Sequence, residues 1–419
     1  MSSHLPRGHF EQLEERSLLA IDFGPLVQAA AAPSSLAADG PAGTTITPIA
    51  TISDVDTNAT LKNPQSKVWS HDGVWWSVLN TNSGTSLYRL DGATWTQIIF
   101  LTGSFHNADV LPVGNGDVTY ALLYSGGLPK LAKFTYVSGA YELTPLVSPA
   151  VPLASVPISA GSDTATIAID TTGKMWLAYD AQDTIEVRYA DAPYTSWSAP
   201  VTLATTSSDE RELSAIVAFD GKIGVLWSNH LTQRFGFRYH VDGADPTDFS
   251  VDEVPASQSA LNAGSGMADD HMNIKVGADG TLYAAVKTAY DLQNITYPEI
   301  ALLVRRPNGA WDPLYKIAAQ GTRPIVEIND AAQFIRFIYA GDTGVDDIVY
   351  KDIPFAEIDP TNPDKFYSGQ DVPSSLFPRQ TLIAGGLSKH VASTVQSFNG
   401  ELVVVATNAS ASPEAGRTP

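Results

Sequence analysis

The 419-residue chain has no cysteine. Disulfides, thiol nucleophiles and cysteine zinc sites are therefore excluded, and an exported form has burial alone to hold it together. No uninterrupted apolar run reaches the roughly 18 residues of a membrane-spanning helix, so no membrane span is expected. Basic residues are scarce. The 25 Lys and Arg face 45 Asp and Glu, for a formal net charge of −20 and a pI of about 4.6. That balance argues against a nucleic-acid partner, whose phosphates need a basic face, and implies only weak attraction to anionic membranes. Gly-x-Ser-x-Gly, P-loop and dinucleotide fingerprints are missing, and the eight His show no His-Glu-x-x-His pattern.

Aromatic and turn-forming residues are plentiful. The chain has 8 Trp, 16 Tyr, 15 Phe, 32 Gly and 27 Pro, with a hydrophobic fraction of 44%, a composition of strands and turns around a sizeable core. The stretch Ala268 to Asp291 shows the underlying unit. Asp269, Asp270 and His271 precede a short apolar strand (Met272 to Val276), the turn Ala278-Asp279-Gly280, and a second strand (Thr281 to Val286) that ends at Lys287. Asp-Gly between apolar runs predicts a hairpin on a type I′ turn.

The unit recurs seven times, with turns at Asp72-Gly73, Asn115-Gly116, Thr172-Gly173, Asp220-Gly221, Asp279-Gly280, Asp330-Ala331-Ala332 and Asn399-Gly400. Most copies continue into a third strand, such as Ile185 to Ala190 or Ile300 to Arg305. Some add a Trp/Thr-rich fourth, such as Trp95 to Leu101. Three or four antiparallel strands every 50 residues or so is the signature of a β-propeller blade. The expected fold is all-β: a single seven-bladed propeller over residues 41–408, its ring closed by an N-terminal strand at Thr45 to Ile52. Six blades is the alternative, if the C-terminal hairpin completes the first blade. Residues 409–419 read as a frayed tail, and a monomer is expected.

Residues 1–40 stand outside the repeat. Phe10 to Ala20, FEQLEERSLLA, resembles the short N-terminal motif of predicted extracellular planctomycete proteins, roughly LE-[ED]-R-x-L-L, through Leu13, Glu14, Glu15, Arg16, Leu18 and Leu19. The resemblance implies export or cell-surface placement. Small residues Ala29 to Ala32 after a short apolar patch agree with a targeting leader.

In a propeller the innermost strand of each blade lines the central channel, and the residues just before it gather at one mouth. Those positions hold Lys67, His106 with Asn107, Asp163, Glu210 with Arg211, Asp269 with Asp270 and His271, Arg323, and Lys389 with His390. Four of the 25 Lys and Arg and three of the eight His collect there in an otherwise acidic chain. Arg or Lys can hold a sugar carboxylate, and His or Asp can move protons. The catalytic candidates are His271, Asp270 and His390. The ligand-binding candidates are Arg323, Arg211, Lys287, Lys389, His106 and Asp163. Loop positions are polar in any fold, so the same set also fits a solvated rim.

No cofactor and no resident metal are expected. Asp54 to Asn58, Asp342 to Asp347 and Asp359 to Asp364 have oxygen ligands that suit calcium, and acidic turns are the competing explanation.

Asp170-Thr-Thr-Gly173-Lys-Met-Trp176 and Asp279-Gly280-Thr-Leu-Tyr283 resemble the Asp-box, Ser-x-Asp-x-Gly-x-x-Trp, of BNR/sialidase-like propellers. The Asp-to-Gly spacing differs by one in both, and the turn joins inner strands. The resemblance implies the propeller. Secreted propellers of this kind also include polysaccharide lyases with His and Arg at the channel mouth, which His271 and Arg323 suit. Three functions stay open: a secreted or surface propeller that binds glycan or another extracellular ligand, a carbohydrate-active enzyme (glycoside hydrolase or lyase), and a structural surface protein.

Overall fold

The structure is a computed structural model. It describes residues 17–23, 46–48, 52–53, 59–60, 62, 64–104, 106–124, 129–159, 162–207, 212–261, 263–290, 297–341, 348–361, 380–383, 391–394 and 401–407.

Among the described residues the strands form six sheets around one axis, a β-propeller. Sheet two pairs Asn107–Val113, Val118–Tyr124, Lys130–Val137 and Ala140–Leu143, and sheet three pairs Ala165–Ile169, Met175–Ala181, Thr184–Ala190 and Val201–Thr205. Sheet four has Ser214–Phe219, Lys222–Asn229 and Arg234–Val241. Sheet five has Met272–Val276, Leu282–Lys287, Ile300–Arg305 and Tyr315–Ala318. Sheet six has Thr322–Asn329, Phe334–Ala340, Ile348–Pro354 and Gln380–Ile383. Each is an antiparallel meander that starts at the innermost strand.

Sheet one differs. It carries Ser66–His71, Val74–Thr81, Gly84–Asp91 and Thr94–Thr102, and on the other side of Ser66–His71 lies the C-terminal hairpin of Val391–Thr394 and Val403–Thr407. The seven-blade expectation is corrected to six by this pairing. Val391–Thr394 bonds in parallel to Ser66–His71, with Ser393 opposite Ser66, so the first and seventh repeats share one nine-stranded sheet. The expected closing strand also pairs differently. Among the described residues there, Ile46–Pro48 and Ile52–Ser53 are strands, and both lie on Ser17–Phe23, a segment grouped with the leader by sequence. Ser17–Phe23 in turn pairs antiparallel with Val403–Thr407. The rest of the 1–40 leader and the 409–419 tail fall outside the described residues.

Alternation of apolar residues along each strand puts side chains on both sheet faces, and facing sheets bury them against each other. Six apolar clusters result, one at each junction round the ring. Trp69, Trp76 and Leu123 join sheets one and two, Leu122 and Leu177 join two and three, and Trp176 and Trp227 join three and four. Phe237 and Met272 join four and five, Leu302 and Phe337 join five and six, and Ile338 with Val403 joins six to one. Burying a large apolar side chain stabilises by about 1.5–3 kcal/mol, and here that is spread over every junction. In sheet four, the Trp227 ring packs against Gly236, where an added Cβ would sit 2.1 Å from the indole. The glycine makes room for the ring.

The hairpin turns are of two kinds. Asp220 and Gly221 both have positive φ (44° and 65°) between paired Phe219 and Lys222, as a type I′ turn requires. At Asp279-Gly280 the type I′ expectation is corrected. Only Gly280 has positive φ (85°), its N–H bonds to Gly277 O, and Gly277 N–H bonds to Thr281 O, so the loop is a turn followed by a glycine bulge. The Asp170 carboxylate caps its own turn, accepting from Thr172 N, Lys174 N and Trp176 Nε1 (2.9, 3.0 and 2.9 Å). It therefore works as a structural clip between the first and second strands of sheet three.

Candidate functional site

The inner strands are stitched together by their own side chains. Asp109 accepts from Ser66 N on one side and Ile167 N on the other, both at 2.8 Å. Thr166 Oγ1 accepts from Ile216 N, and Asn273 Oδ1 from Val326 N, each at 3.2 Å. These bonds join residues near the start of each strand, so the strands begin level at one mouth. Just below the mouth lie buried Lys67, Asp109 and Glu327, with the partly buried Lys275 beside them. Lys67 Nζ donates to Ala108 O and Gln65 Oε1 (2.8 and 3.0 Å), and Lys275 lies 4.0 Å from Glu327. Burial lowers the Lys67 ammonium to about 7 and raises the Asp109 carboxyl to about 7. Burial lowers Lys275 as well.

Sheets five and six carry the densest group at the mouth. His271 Nδ1 contacts both Asp269 Oδ1 (2.9 Å) and Asp270 Oδ1, and Lys287 Nζ donates to Asp269 Oδ2 at 2.9 Å. The hairpin register explains why distant residues meet. Lys287 ends the second strand, and its N–H bonds to His271 O across the ladder. Burial alone pulls the His271 imidazole down, but the Asp270 charge and the bonds from both carboxylates outweigh it and raise its pKa. Burial alone lifts Asp269. The His271 bond and the Lys287 charge hold it well below the usual carboxylate range. For Lys287, burial is overcome by Asp269, Glu299 and Asp270, and its pKa rises. Among the described residues, nothing hydrogen-bonds His271 Nε2.

Arg323 enters from sheet six, close enough for its charge to oppose protonation of His271. It sits in a bulge, where the pairing slips between Thr322 and Ile325, and has φ of 52°. A left-handed non-glycine residue just before proline is strained, and a bulge re-aims the side chain it carries. Asp269, Asp270 and His271 offer ligand atoms within 4.8 Å of one another. Lys287 and Arg323 already supply positive charge there, which makes the group an ion-pair network rather than a metal cradle.

The other expected positions lie elsewhere on the rim. Asp163 pairs with Lys62, beside Lys67. His106 is buried, takes its N–H bond to Thr85 Oγ1 (3.0 Å), and has its pKa lowered by burial and then by Lys130. Neither contacts the His271 group. Arg211, Lys389 and His390 lie outside the described residues, as do Glu210 and the acidic runs at 54–58 and 342–347. In the third acidic run, Asp359 Oδ1 caps the N–H and hydroxyl of Thr361 at 2.8 Å, an ordinary acidic turn.

Sequence reading missed two further mouth residues, because among the ends of second strands it picked out only Lys287. Residues at the end of the second strand reach the same rim. Asp180 accepts from Asp163 N and Thr164 N (2.6 and 2.8 Å), and burial raises its carboxyl to about 7. In sheet four, Glu212 faces His230, with Oε2 3.4 Å from Nδ1. Applying the hairpin register to the sequence would have found both.

No protein-family profile matches the chain, and no curated protein does. Solved structures do. A protein from Lactobacillus plantarum aligns with 93% of this chain and 99% of its own at 15% identity and a TM-score of 0.51. The WD40 domain of Toxoplasma gondii coronin covers 84% and 83% at 9% identity and TM-score 0.47. A polysaccharide lyase of the PL25 ulvan lyase family covers 73% and 83% at 9% and 0.43. At such identities the likeness is one of fold alone.

Proposed function

We propose that this propeller binds an acidic glycan at its channel mouth and acts outside the cell or on its surface. The observation that carries the reading is the convergence of His271, Lys287 and Arg323 at one rim of a chain whose net charge is −20. Arg323 supplies a planar fork suited to a carboxylate. Its strained backbone is a cost that a purely solvated rim gives no reason to keep. The extracellular part of the proposal rests on the Leu13 to Leu19 motif.

A second reading, turnover of that glycan, is favoured by one specific feature. His271 is clamped at Nδ1 by two carboxylates, which orients Nε2, and those carboxylates raise its pKa above the ordinary histidine value. An imidazole held and biased toward its protonated form in this way suits a general acid.

A glycan array combined with a turnover screen on acidic polysaccharides tests both. Binding that Arg323→Ala abolishes supports recognition. Product formation that His271→Ala abolishes while binding persists supports turnover. An absence of both for the wild-type chain across the panel overturns the proposal. Export is tested separately, by following the full chain and a Leu13→Asp/Leu18→Asp variant to the medium or cell surface.

A further inference from the structure

The pair of Glu212 and His230 repeats, one sheet over, the chemistry of Asp269 and His271. Glu212 is buried, with 3% of its surface exposed. Its carboxylate accepts from Ser207 N (3.2 Å) and His230 N (3.0 Å) and stands 3.4 Å from His230 Nδ1. The His230 side chain is 13% exposed, against 12% for His271. Both therefore present an imidazole backed by a buried carboxylate at the same rim.

The loops carrying the two pairs abut. Met267 N–H donates to Gln233 O at 3.1 Å, and a Cβ on Gly266 would fall 2.3 Å from Gln233 Cβ. Gly266 and Met267 lead directly into Asp269. Yet Glu212 and His230 are not part of the compact group formed by Asp269, Asp270 and His271. Two carboxylate-backed histidines on touching loops, with separate sets of ligand atoms, form two adjoining subsites rather than one.

We infer that the mouth is an extended site in which His230 forms a second subsite beside that of His271 and Arg323, so that its ligand is an oligomeric acidic chain rather than a single sugar. The inference rests on the glycan reading above. One residue of the chain places its carboxylate at Arg323 and Lys287. The next lies over the loop of residues 263–268 and presents hydroxyl or carboxylate oxygens to His230. Glu212 acts as a positioning residue, fixing the loop through the His230 N–H and facing the ring with a carboxylate oxygen 3.4 Å from Nδ1.

Calorimetry on the full chain with uronate oligomers of one, two and four units, prepared from pectate, alginate and hyaluronan, tests this. For at least one series the tetramer is expected to bind tenfold or more tightly than the monomer. His230→Ala is expected to erase that gain while leaving monomer affinity unchanged, and Arg323→Ala to weaken both. His230→Gln, with an unchanged unfolding temperature as its folding control, is expected to recover part of the gain. Affinity that does not grow with length, or His230 variants that weaken monomer and tetramer alike, overturns the second subsite and leaves the first intact. A wild-type chain that binds no member of the panel overturns the glycan reading as well.

Discussion

Replacing Asp269 by Asn keeps the shape of the side chain and removes one charge from the centre of the mouth network. Asp269 bonds His271 through one oxygen and Lys287 through the other, each at 2.9 Å. The amide cannot serve both, and it turns an N–H toward one of two cations. Removing one partner of a buried ion pair costs about 3–5 kcal/mol. Asp270 still faces His271, and Glu299 and Asp270 still face Lys287. The expected loss is therefore smaller, roughly 2 kcal/mol near pH 6.

The pH dependence follows from the two shifts. The folded pKa of His271 is raised above 6.5, so its contribution is complete below that value and fades as pH climbs through the folded pKa. The folded pKa of Asp269 is depressed below 3.8, so its contribution is present above that value and is lost as pH falls through the folded one. The gap between wild type and variant is thus widest between about pH 4 and pH 6.5 and narrows toward pH 9. Urea unfolding of both proteins at pH 6 and pH 9, with the His271 ring followed by NMR, measures the gap and the midpoint. Equal stability at pH 6, or a gap that does not narrow by pH 9, refutes the coupled network.

Three further outcomes follow from features away from that centre. Arg323→Gly relieves the left-handed backbone and should be more stable than Arg323→Ala by about 1 kcal/mol in denaturant titration, while both lose binding of acidic ligand. Gly236→Ala forces a Cβ into the Trp227 ring and should destabilise by roughly 2–3 kcal/mol, read from tryptophan fluorescence during unfolding. Arg336 and Asp352 form a buried bidentate pair, both bonds at 2.6 Å, under the Tyr350 ring. Asp352→Ala should cost about 3–5 kcal/mol, and the double variant Arg336→Met/Asp352→Leu should recover most of it, measured by calorimetry against either single variant.

Much of the propeller could be read from local chemistry, because its unit is local. Turn residues such as Asp220-Gly221 sit between apolar runs of strand length, and a hairpin needs nothing more distant than itself. The blade count was decided elsewhere. Ser393 meets Ser66 across more than 300 positions of sequence, and no short-range pattern records that pairing. The turn at Asp279 was misread for a related reason. Asp-Gly suits both a type I′ turn and a bulged one, and the choice lies in whether Gly277 N–H reaches Thr281 O. At the mouth, the positions ahead of inner strands were legible in His271 and Arg323. Of the matching positions at the ends of second strands, Lys287 was legible too, whereas Asp180 and His230 emerge only once the hairpin register is applied to the sequence. The clamp of two carboxylates on one imidazole nitrogen is a matter of rotamers, beyond what adjacency of Asp269, Asp270 and His271 reveals.

The parallel pairing of Val391–Thr394 with Ser66–His71 also bears on time. The first inner strand leaves the ribosome long before its neighbour on that side exists, so one flank of sheet one waits unpaired for most of synthesis. Without cysteines, no covalent bond can hold that flank in the interval. Contacts between the last hairpin and the sheet one and sheet six junction can therefore form only late in synthesis. That order places the greatest exposure to misassembly in the moments just before the final strands dock.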